Sequence, residues 1–416
     1  MTPAIPNEMR ALVLSGAGFD HLSVRTVPTP RPGPGQLLAR VDAASVCTSL
    51  IKLVEQGPRH AYLYDWDLDS YPVVLGDEGS ITIVEVGEQL KGRYELGQRF
   101  TTQSSVDHPP INHCERYRDG GRGIEKLGIG HSLPGHLAEY ILVTEETIAA
   151  GCLLPIEDLA FPSSHASLAE PISCVISAQE HHMYISQESP NVPRKAVKGL
   201  RKGGVTVIVG CGAMGRMHVD LAFSSRPASV IGMDFVEERL ERVQTLFGER
   251  STRLGVNLVT LNPEKGDPLE CVREATGGRG ADDVVVAVGS APAIKMAQSL
   301  VGRGGVLNLF GGLKKGEDTV DLDTSIVHYK EVNITGSSGG SPWDVARALE
   351  LMLAGELDAG THITRIGDLE HLPDFLEMIR ARTLDGKAVV YPHRRVDAIR
   401  AVPRWTAEDE VEFLKG

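Results

Sequence analysis

The alternation of apolar and polar positions divides the chain into two kinds of segment. Residues 10–150 contain short apolar runs between glycine and proline turns, such as GQLLARVDAASV and ITIVEVG, a pattern typical of a barrel-like β domain. From about residue 203, apolar runs such as VTVIVG and SVIGMD alternate with amphipathic helical segments. This alternation predicts a parallel sheet covered by helices on both faces. We therefore expect an α/β protein with a doubly wound parallel sheet and a second, β-rich domain.

The stretch YPVVLGDEGSITIVEVGE, residues 71–88, places two carboxylates between apolar runs. Asp77 and Glu78 stand between Gly76 and Gly79, and alternating apolar positions follow. The pattern predicts a pair of strands joined by an acidic turn. Because carboxylates in a water-poor turn are costly, we expect them to be ion-paired or bound to a metal.

Length and charge narrow the class of protein. A chain of 416 residues is long enough for about two domains, and its formal net charge of −13 disfavours nucleic acid and anionic membrane surfaces as partners. The N-terminus lacks the pattern of a signal peptide, and no apolar run is long enough to span a membrane, so we expect a cytoplasmic protein. The six cysteines form no Cys-x-x-Cys pair, which argues against a disulfide framework and a four-cysteine zinc site.

A glycine-rich turn after the first strand of the predicted parallel sheet indicates dinucleotide binding. Gly210, Gly212 and Gly215 stand in G-x-G-x-x-G register in VTVIVGCGAMGRMHVDLA, between an apolar strand and a helix. Such a turn lets the backbone approach a pyrophosphate at the helix N-terminus, where Ala213 and Met214 follow. We therefore expect these five residues to bind the cofactor.

The next strands supply further candidates for the cofactor site. Asp234 ends SVIGMD, where a carboxylate can bind a ribose 2′-hydroxyl and repel a 2′-phosphate, so the sequence favours NAD over NADP. Arg239 is close enough to weaken that preference, and Asp234 could instead only cap the following helix. Gly289 and Gly311 follow two later strands, at the edge where ligands bind, although both could be simple turn residues.

These features together resemble the zinc-type medium-chain dehydrogenase/reductase superfamily of alcohol and polyol dehydrogenases, over about residues 9–393. SVCTSLIK resembles its Cys-x-Ser/Thr segment, and GDEGSITIVEVG its Gly-His-Glu segment. PGHLAEY resembles its Gly-x-x-Ala-Glu-Tyr strand, and SLAEPISCV the Glu-Pro segment of the polyol branch. SLAEPISCV, TGGRGADDV and VHYKEVNITGSSGG are similar to the sorbose-1-phosphate reductase branch.

The resemblance implies a domain organisation and an assembly. It implies a GroES-like catalytic domain of residues 1–180 and 342–394, a Rossmann domain of residues 181–341, and a C-terminal extension of residues 395–416. Relatives commonly pair their dinucleotide-binding sheets, so we expect a homodimer or homotetramer. The extension could reach over a neighbouring subunit or fray as a tail.

The resemblance also implies one catalytic zinc ion. Its ligands or close neighbours would be Cys47, Asp77, Glu78 and Glu170, with Ser49 as the proton relay and with Cys47 and Glu170 acting in catalysis. A structural zinc ion is not expected, because the corresponding loop offers only Cys114 among spaced histidines.

Two departures from the family pattern affect the expected zinc site. Asp77 stands where the family has histidine, and Leu50 stands where many relatives have the aspartate that orients that histidine. Four anionic groups around one dication would repel one another. Some must be protonated, lie outside the ligand sphere, or pair with a lysine such as Lys52. His136 could contact substrate or be a structural histidine.

The sequence therefore predicts an NAD-dependent, metal-assisted oxidoreductase. It would transfer hydride between a secondary alcohol of polyol or sugar type, with or without a phosphate, and the corresponding ketone. One alternative is a zinc-free NAD(P)H reductase on the same fold. Another is a redox-neutral sugar epimerase or lyase that keeps its NAD bound. A non-catalytic nucleotide sensor would not need the acidic cluster.

Overall fold

The computed structural model describes residues 4–313, 316 and 318–415. The strands, numbered in chain order, are β1 (Glu8–Leu14), β2 (Leu22–Pro28), β3 (Leu37–Ser45), β4 (Val73–Val74), β5 (Glu78–Val86), β6 (Arg99–Thr102), β7 (Ser105–Val106), β8 (Leu127–Gly128), β9 (Tyr140–Val143), β10 (Leu153–Pro155), β11 (Met183–Ser186), β12 (Lys195–Lys198), β13 (Val205–Val209), β14 (Ser229–Met233), β15 (Asn257–Leu261), β16 (Ala281–Val286), β17 (Val301–Leu309), β18 (Asn333–Gly336), β19 (Ile363–Gly367), β20 (Lys387–Val390) and β21 (Arg400–Ala401).

The α-helices are α1 (Ser49–Gln56), α2 (Glu145–Ala149), α3 (Ser163–Ser167), α4 (Ala169–Glu180), α5 (Ala213–Ala222), α6 (Glu237–Leu254), α7 (Pro268–Thr276), α8 (Ala291–Leu300), α9 (Thr324–Tyr329), α10 (Pro342–Leu353), α11 (Leu372–Arg380) and α12 (Ala407–Lys415). The chain divides into two compact units. The first contains Met1–Ile172 and Ser341–Gly416, and the second contains Ser173–Gly340.

A six-stranded parallel sheet organises the second unit, in the order β15-β14-β13-β16-β17-β18. Alternate residues of β13 point to opposite faces, as a strand requires. Val207 packs in a core with residues of α7 and α8, whereas Ile208 packs in a second core with residues of α5 and α6. Helices therefore cover both faces, and the predicted doubly wound parallel sheet is confirmed.

The first unit is built mainly on antiparallel strands, with β19 and β20 as a parallel pair. Its largest sheet runs β10-β6-β5-β3-β20-β19-β21, with β9 also pairing β3, and a smaller sheet runs β2-β1-β4. The buried core joins residues of both sheets with residues of α1 and α11. In this sheet the end of β3 lies beside the start of β5, with Ser45 opposite Glu78, and beside the end of β20, with Ser45 opposite Val389.

The acidic stretch at residues 71–88 does not form the strand pair that the pattern predicts. β4 pairs with β1, whereas β5 pairs with β3, so the two apolar runs join different sheets. Glu78 is the first residue of β5, and the Gly76 carbonyl accepts a hydrogen bond from the backbone N–H of His136 at 2.9 Å. The prediction was wrong because periodicity identifies strands but does not identify their partners.

Two further segments have defined local structure. Residues 187–204 include β12, which forms a two-stranded antiparallel sheet with β11. Ser341 caps α10 in a capping box with Asp344, and Pro342 is the first helical residue. Within the described residues, no helix combines the length and apolar character that crossing a membrane requires.

Candidate active site

The first unit brings together a thiol and two carboxylates. Cys47 lies between β3 and α1, Asp77 immediately precedes β5, and Glu78 begins it. Because β3 and β5 are antiparallel neighbours with Ser45 opposite Glu78, the end of one strand meets the start of the other. One ligand atom from each of Cys47, Asp77 and Glu78 lies within 4.8 Å of the other two. We call these three residues, with Glu170, the acid cluster.

A buried lysine neutralises part of the acid cluster. The Lys387 Nζ donates a hydrogen bond to Glu78 Oε1 at 2.6 Å, and the side chains are 5% and 1% exposed. The Ser45 hydroxyl donates to the other oxygen of Glu78. Sequence reasoning suggested Lys52 for such a pairing and missed Lys387. The available signal was a lysine that opens the apolar run KAVV, because a lysine within a buried strand usually has a partner.

Ser49 connects Asp77 to the start of α1. The Ser49 Oγ donates a hydrogen bond to Asp77 Oδ2 at 3.0 Å, and the Ser49 backbone N–H donates to Cys47 Sγ at 3.4 Å. The second oxygen of Asp77, Oδ1, is buried without a hydrogen-bond partner among the described groups. A buried carboxylate oxygen without a donor is costly, so this atom indicates room for a cation.

Glu170 lies beside these residues in the first turn of α4. Its Oε1 accepts a hydrogen bond from Ser104 Oγ at 2.9 Å. It is outside the group of three within 4.8 Å, but its charge acts on the Cys47 thiol. The structure therefore brings Cys47, Asp77 and Glu78 together most closely and places Glu170 within electrostatic reach.

Burial and mutual repulsion raise the pKa values of the acidic groups. The pKa of the Cys47 thiol lies well above its usual value because of burial and the charges of Asp77 and Glu78. Burial also raises the pKa of both carboxylates, although Lys387 opposes these shifts. Burial and the same two carboxylates raise the pKa of Glu170 to about 8. Burial alone would lower the pKa of Lys387, but the surrounding acidic groups raise it above its usual value.

The donor set fits a divalent cation. A thiolate and carboxylate oxygens are ligands that zinc accepts, and the orphaned Oδ1 of Asp77 offers a lone pair. The acid cluster holds more acidic groups than Lys387 alone can neutralise. Leu50 is fully buried in the hydrophobic core, so the position where many relatives carry an orienting aspartate has no polar role.

His136 has the surroundings of a structural histidine. It is fully buried, its Nδ1 lies 3.2 Å from the Gly76 carbonyl oxygen, and its Nε2 lies 3.2 Å from Thr102 Oγ1. Burial lowers its pKa to about 4, so the ring is neutral. Both ring nitrogens have protein partners, which favours the structural alternative over contact with substrate.

In the second unit, the glycine-rich turn links β13 to α5. Gly212 is the N-cap residue of α5, and Ala213 and Met214 begin the helix. A Cβ on Gly215 would lie 1.7 Å from the Gly210 carbonyl oxygen, so glycine is required where the helix approaches the turn. The arrangement is that of a turn able to approach a pyrophosphate.

Asp234 follows β14 and contacts this turn. Its Oδ2 accepts a hydrogen bond from the Cys211 backbone N–H at 2.8 Å, and its Oδ1 accepts one from the Val236 N–H at 2.9 Å. Arg239 Nη1 lies 3.4 Å from Oδ2. The carboxylate is thus held beside the glycine-rich turn and is not the N-cap of α6, which is Val236. Arg239 remains close, as expected.

Gly289 and Gly311 follow β16 and β17, which are neighbouring parallel strands. Their turns touch, since a Cβ on Gly311 would lie 2.6 Å from the Gly289 backbone nitrogen. Both glycines therefore stand at the carboxyl edge of the sheet, as Gly210 does.

Two family models match separate parts of the chain. The alcohol dehydrogenase GroES-like domain matches residues 33–155, and the zinc-binding dehydrogenase model matches residues 213–354. The mannitol-1-phosphate 5-dehydrogenase of Aliivibrio fischeri is 30% identical over 381 residues, which are 90% of this chain and 85% of that enzyme. The chain belongs to the zinc-type medium-chain dehydrogenase/reductase family. It is therefore an oxidoreductase of the alcohol dehydrogenase type.

Two further similarities agree with membership of the medium-chain dehydrogenase/reductase family. The L-sorbose 1-phosphate reductase of Klebsiella pneumoniae is 28% identical over 84% of this chain and 80% of that enzyme. A zinc-binding dehydrogenase of Sinorhizobium meliloti 1021, solved with NADP bound, aligns with a TM-score of 0.72 and 24% identity over 93% of this chain and 100% of that chain. The expected combination of a GroES-like domain with a Rossmann sheet is confirmed.

Proposed function

We propose that this protein catalyses NAD-dependent, metal-assisted hydride transfer between a secondary hydroxyl of a phosphorylated polyol and the corresponding ketone. The observation that carries the proposal is the acid cluster with Ser49 bonded to Asp77, in a chain that also has a G-x-G-x-x-G turn. The first unit would be the catalytic domain and the second the dinucleotide-binding domain.

One divalent metal, which we propose to be zinc, would be held by Cys47, Asp77 and Glu78, with Glu170 as a further ligand or neighbour. When bound, zinc would polarise the alcohol oxygen of the substrate and lower its pKa. The donor chemistry supports this assignment, since thiolate and carboxylate are both zinc ligands.

Ser49 has the contacts of a proton relay. Its hydroxyl donates to Asp77 Oδ2 at 3.0 Å, so an oxygen lone pair remains free to accept the alcohol proton. As Ser49 accepts that proton, it can release its own along its hydrogen bond to Asp77. Lys387 meanwhile holds Glu78 in place through the ion pair described above.

The cofactor would be NAD, bound at Gly210, Gly212, Ala213, Met214, Gly215, Asp234, Arg239, Gly289 and Gly311. Bound NAD would accept the hydride. The carboxylate of Asp234 beside the glycine-rich turn supports NAD because it would repel the 2′-phosphate of NADP.

Two observations favour a phosphorylated substrate. Two relatives are named for sugar or polyol phosphates. In the first unit, Lys52 stands one turn after Ser49 on α1. Burial is the main cause that lowers the pKa of His60 to about 4, and the charges of His131 and Lys52 lower it further. The rings of His60 and His131 lie 5.2 Å apart, and Lys52 is a cation on the same helix as Ser49.

We also propose a homodimer or homotetramer. The edge strand β18 leaves one side of the parallel sheet unpaired within the described chain and exposes Ile334. A monomeric mass by light scattering at micromolar concentration would reject the assembly.

The function is tested by elemental analysis and by turnover of the same preparation. We expect about one zinc per chain and a rise in NADH absorbance with a phosphorylated polyol. Activity that survives a chelator in metal-free protein would favour the zinc-free reductase. Turnover without net NADH formation would favour the epimerase or lyase.

A further inference from the structure

The last segment of the chain, residues 395–416, packs within the first unit. Trp405 is fully buried, and the ring of Phe413 lies 5.8 Å from its ring and 4.9 Å from that of Tyr391. β21 pairs with β19, and the Trp405 backbone N–H donates to the Gly360 carbonyl at 3.0 Å. The segment is therefore an integral part of its own unit, and a frayed tail does not describe it.

Glu410 is the buried residue of α12 and binds several donors. Its carboxylate accepts hydrogen bonds from the backbone N–H groups of Ser163 at 2.7 Å and Ser164 at 2.9 Å. The Ser164 hydroxyl also donates to it, as does the Tyr391 hydroxyl at 2.8 Å. Hydrogen bonds to a charged acceptor are stronger than those between neutral groups, so this carboxylate fixes its partners firmly.

The first partner of Glu410 is the start of α3, which leads to Glu170. Pro162 precedes α3 and supplies no side-chain cap, so Glu410 satisfies the free N–H groups instead. α3 continues almost directly into α4, where Glu170 occupies the first turn. At the other end of α3, the Ser167 carbonyl oxygen lies 3.3 Å from Ser45 Oγ, the hydroxyl that donates to Glu78.

The second partner is Tyr391, which leads to Lys387. Tyr391 directly follows β20, the strand that begins with Lys387. The Tyr391 hydroxyl donates to Glu410 and accepts a hydrogen bond from Trp405 Nε1 at 2.8 Å. One carboxylate therefore joins the segment that carries Glu170 to the segment that carries the lysine of the acid cluster.

We propose that Glu410, supported by Trp405, is a positioning residue for the acid cluster. Glu410 fixes the start of α3 and the end of β20. It thereby determines the positions of Glu170 and Lys387 relative to the other groups of the acid cluster. This inference rests on the proposed function, in which those groups surround the metal and the reacting alcohol. Residues that orient metal-site groups commonly affect metal affinity and activity strongly without touching the metal.

The test compares Glu410→Gln with Glu412→Gln. Glu412 lies on the same helix in an exposed ion pair with Lys415, so its variant controls for a loss of charge on α12. We expect Glu410→Gln to lower kcat and to raise the zinc Kd, measured by chelator competition, by about tenfold or more. The KM for NAD should stay within about twofold of wild type, and Glu412→Gln should match wild type in all three quantities. Tyr391→Phe, which removes one donor to Glu410, should shift kcat and the zinc Kd in the same direction.

A folded Glu410→Gln protein with kcat and zinc Kd both within about twofold of wild type would overturn the inference. If Glu410→Gln does not fold, Tyr391→Phe decides by the same limits. If the wild type neither binds zinc nor transfers hydride, the proposed function fails. The positioning role of Glu410 is then tested in metal-free protein. The measurement is then the rate at which iodoacetamide alkylates Cys47, which must differ between Glu410→Gln and wild type while Glu412→Gln does not.

Discussion

Replacing Lys387 by methionine removes the ammonium group that contacts Glu78. Methionine keeps an unbranched apolar stem, so the main change is loss of the 2.6 Å ion pair between two nearly inaccessible side chains. Removing one partner of a buried ion pair costs about 3–5 kcal/mol, because the other charge stays buried and uncompensated. We expect the zinc-free variant to lose free energy of unfolding of that size.

The measurement is urea unfolding of zinc-free and zinc-loaded protein, with Lys91→Met as the matched control. Lys91 pairs with Glu88 on the surface, where both side chains are largely exposed and an ion pair contributes about 0–1 kcal/mol. Zinc should stabilise Lys387→Met more than wild type, because a bound dication can compensate Glu78 in place of the lysine. A loss no larger than that of the control would show that Glu78 does not depend on Lys387 for its charge balance.

Three further predictions concern the cofactor, the pH dependence and the substrate. Asp234→Ser should lower the ratio of kcat/KM for NAD to that for NADP by about tenfold, and an unchanged ratio would reject the role of that residue. Burial, with Asp77 and Glu78, raises the pKa of Glu170 from 4.5 to about 8, so the folded zinc-free protein binds a proton that the unfolded chain releases. The thermal unfolding midpoint of the zinc-free protein should therefore fall as pH rises from 4.5 to about 8. The fall should be less steep in Glu170→Gln than in wild type. Lys52→Ala should raise KM about tenfold for a phosphorylated polyol and leave KM for the unphosphorylated polyol unchanged. An equal effect on both substrates would contradict a phosphate contact.

The parallel sheet could be predicted because its signals are local. In the parallel sheet, β13, β14, β15 and β16 are each followed by a helix, so the apolar runs and the amphipathic helices appear in order along the chain. The G-x-G-x-x-G turn and the acid that ends the next strand, Asp234, lie in consecutive β-α-β segments, and β13 and β14 are neighbours in the sheet. Short-range patterns were therefore sufficient to predict the fold class and to select the candidate cofactor residues.

The acid cluster could be predicted only in part. Asp77 and Glu78 were indicated by the residue pattern and Cys47 by a family resemblance, and the antiparallel pairing of β3 and β5 accounts for their proximity. Lys387 is 309 residues from Glu78 in sequence, and Glu410 is 246 residues from Ser164. Partnerships at such separations depend on which strands pair and how the tail packs, and neither periodicity nor composition carries that information.

The surroundings of the acid cluster suggest why aspartate can replace the family's histidine at position 77. With zinc bound, the negative charges of Cys47, Asp77 and Glu78 would be matched by the dication and by the ammonium group of Lys387. This count treats Glu170 as a neutral neighbour of the metal, the state that its raised pKa of about 8 gives it at neutral pH in the metal-free protein. A neutral histidine at position 77 would leave the same group with one uncompensated positive charge in a poorly solvated site, which is unfavourable. If zinc binds as proposed, the charges of Asp77 and Lys387 would therefore balance each other beside it.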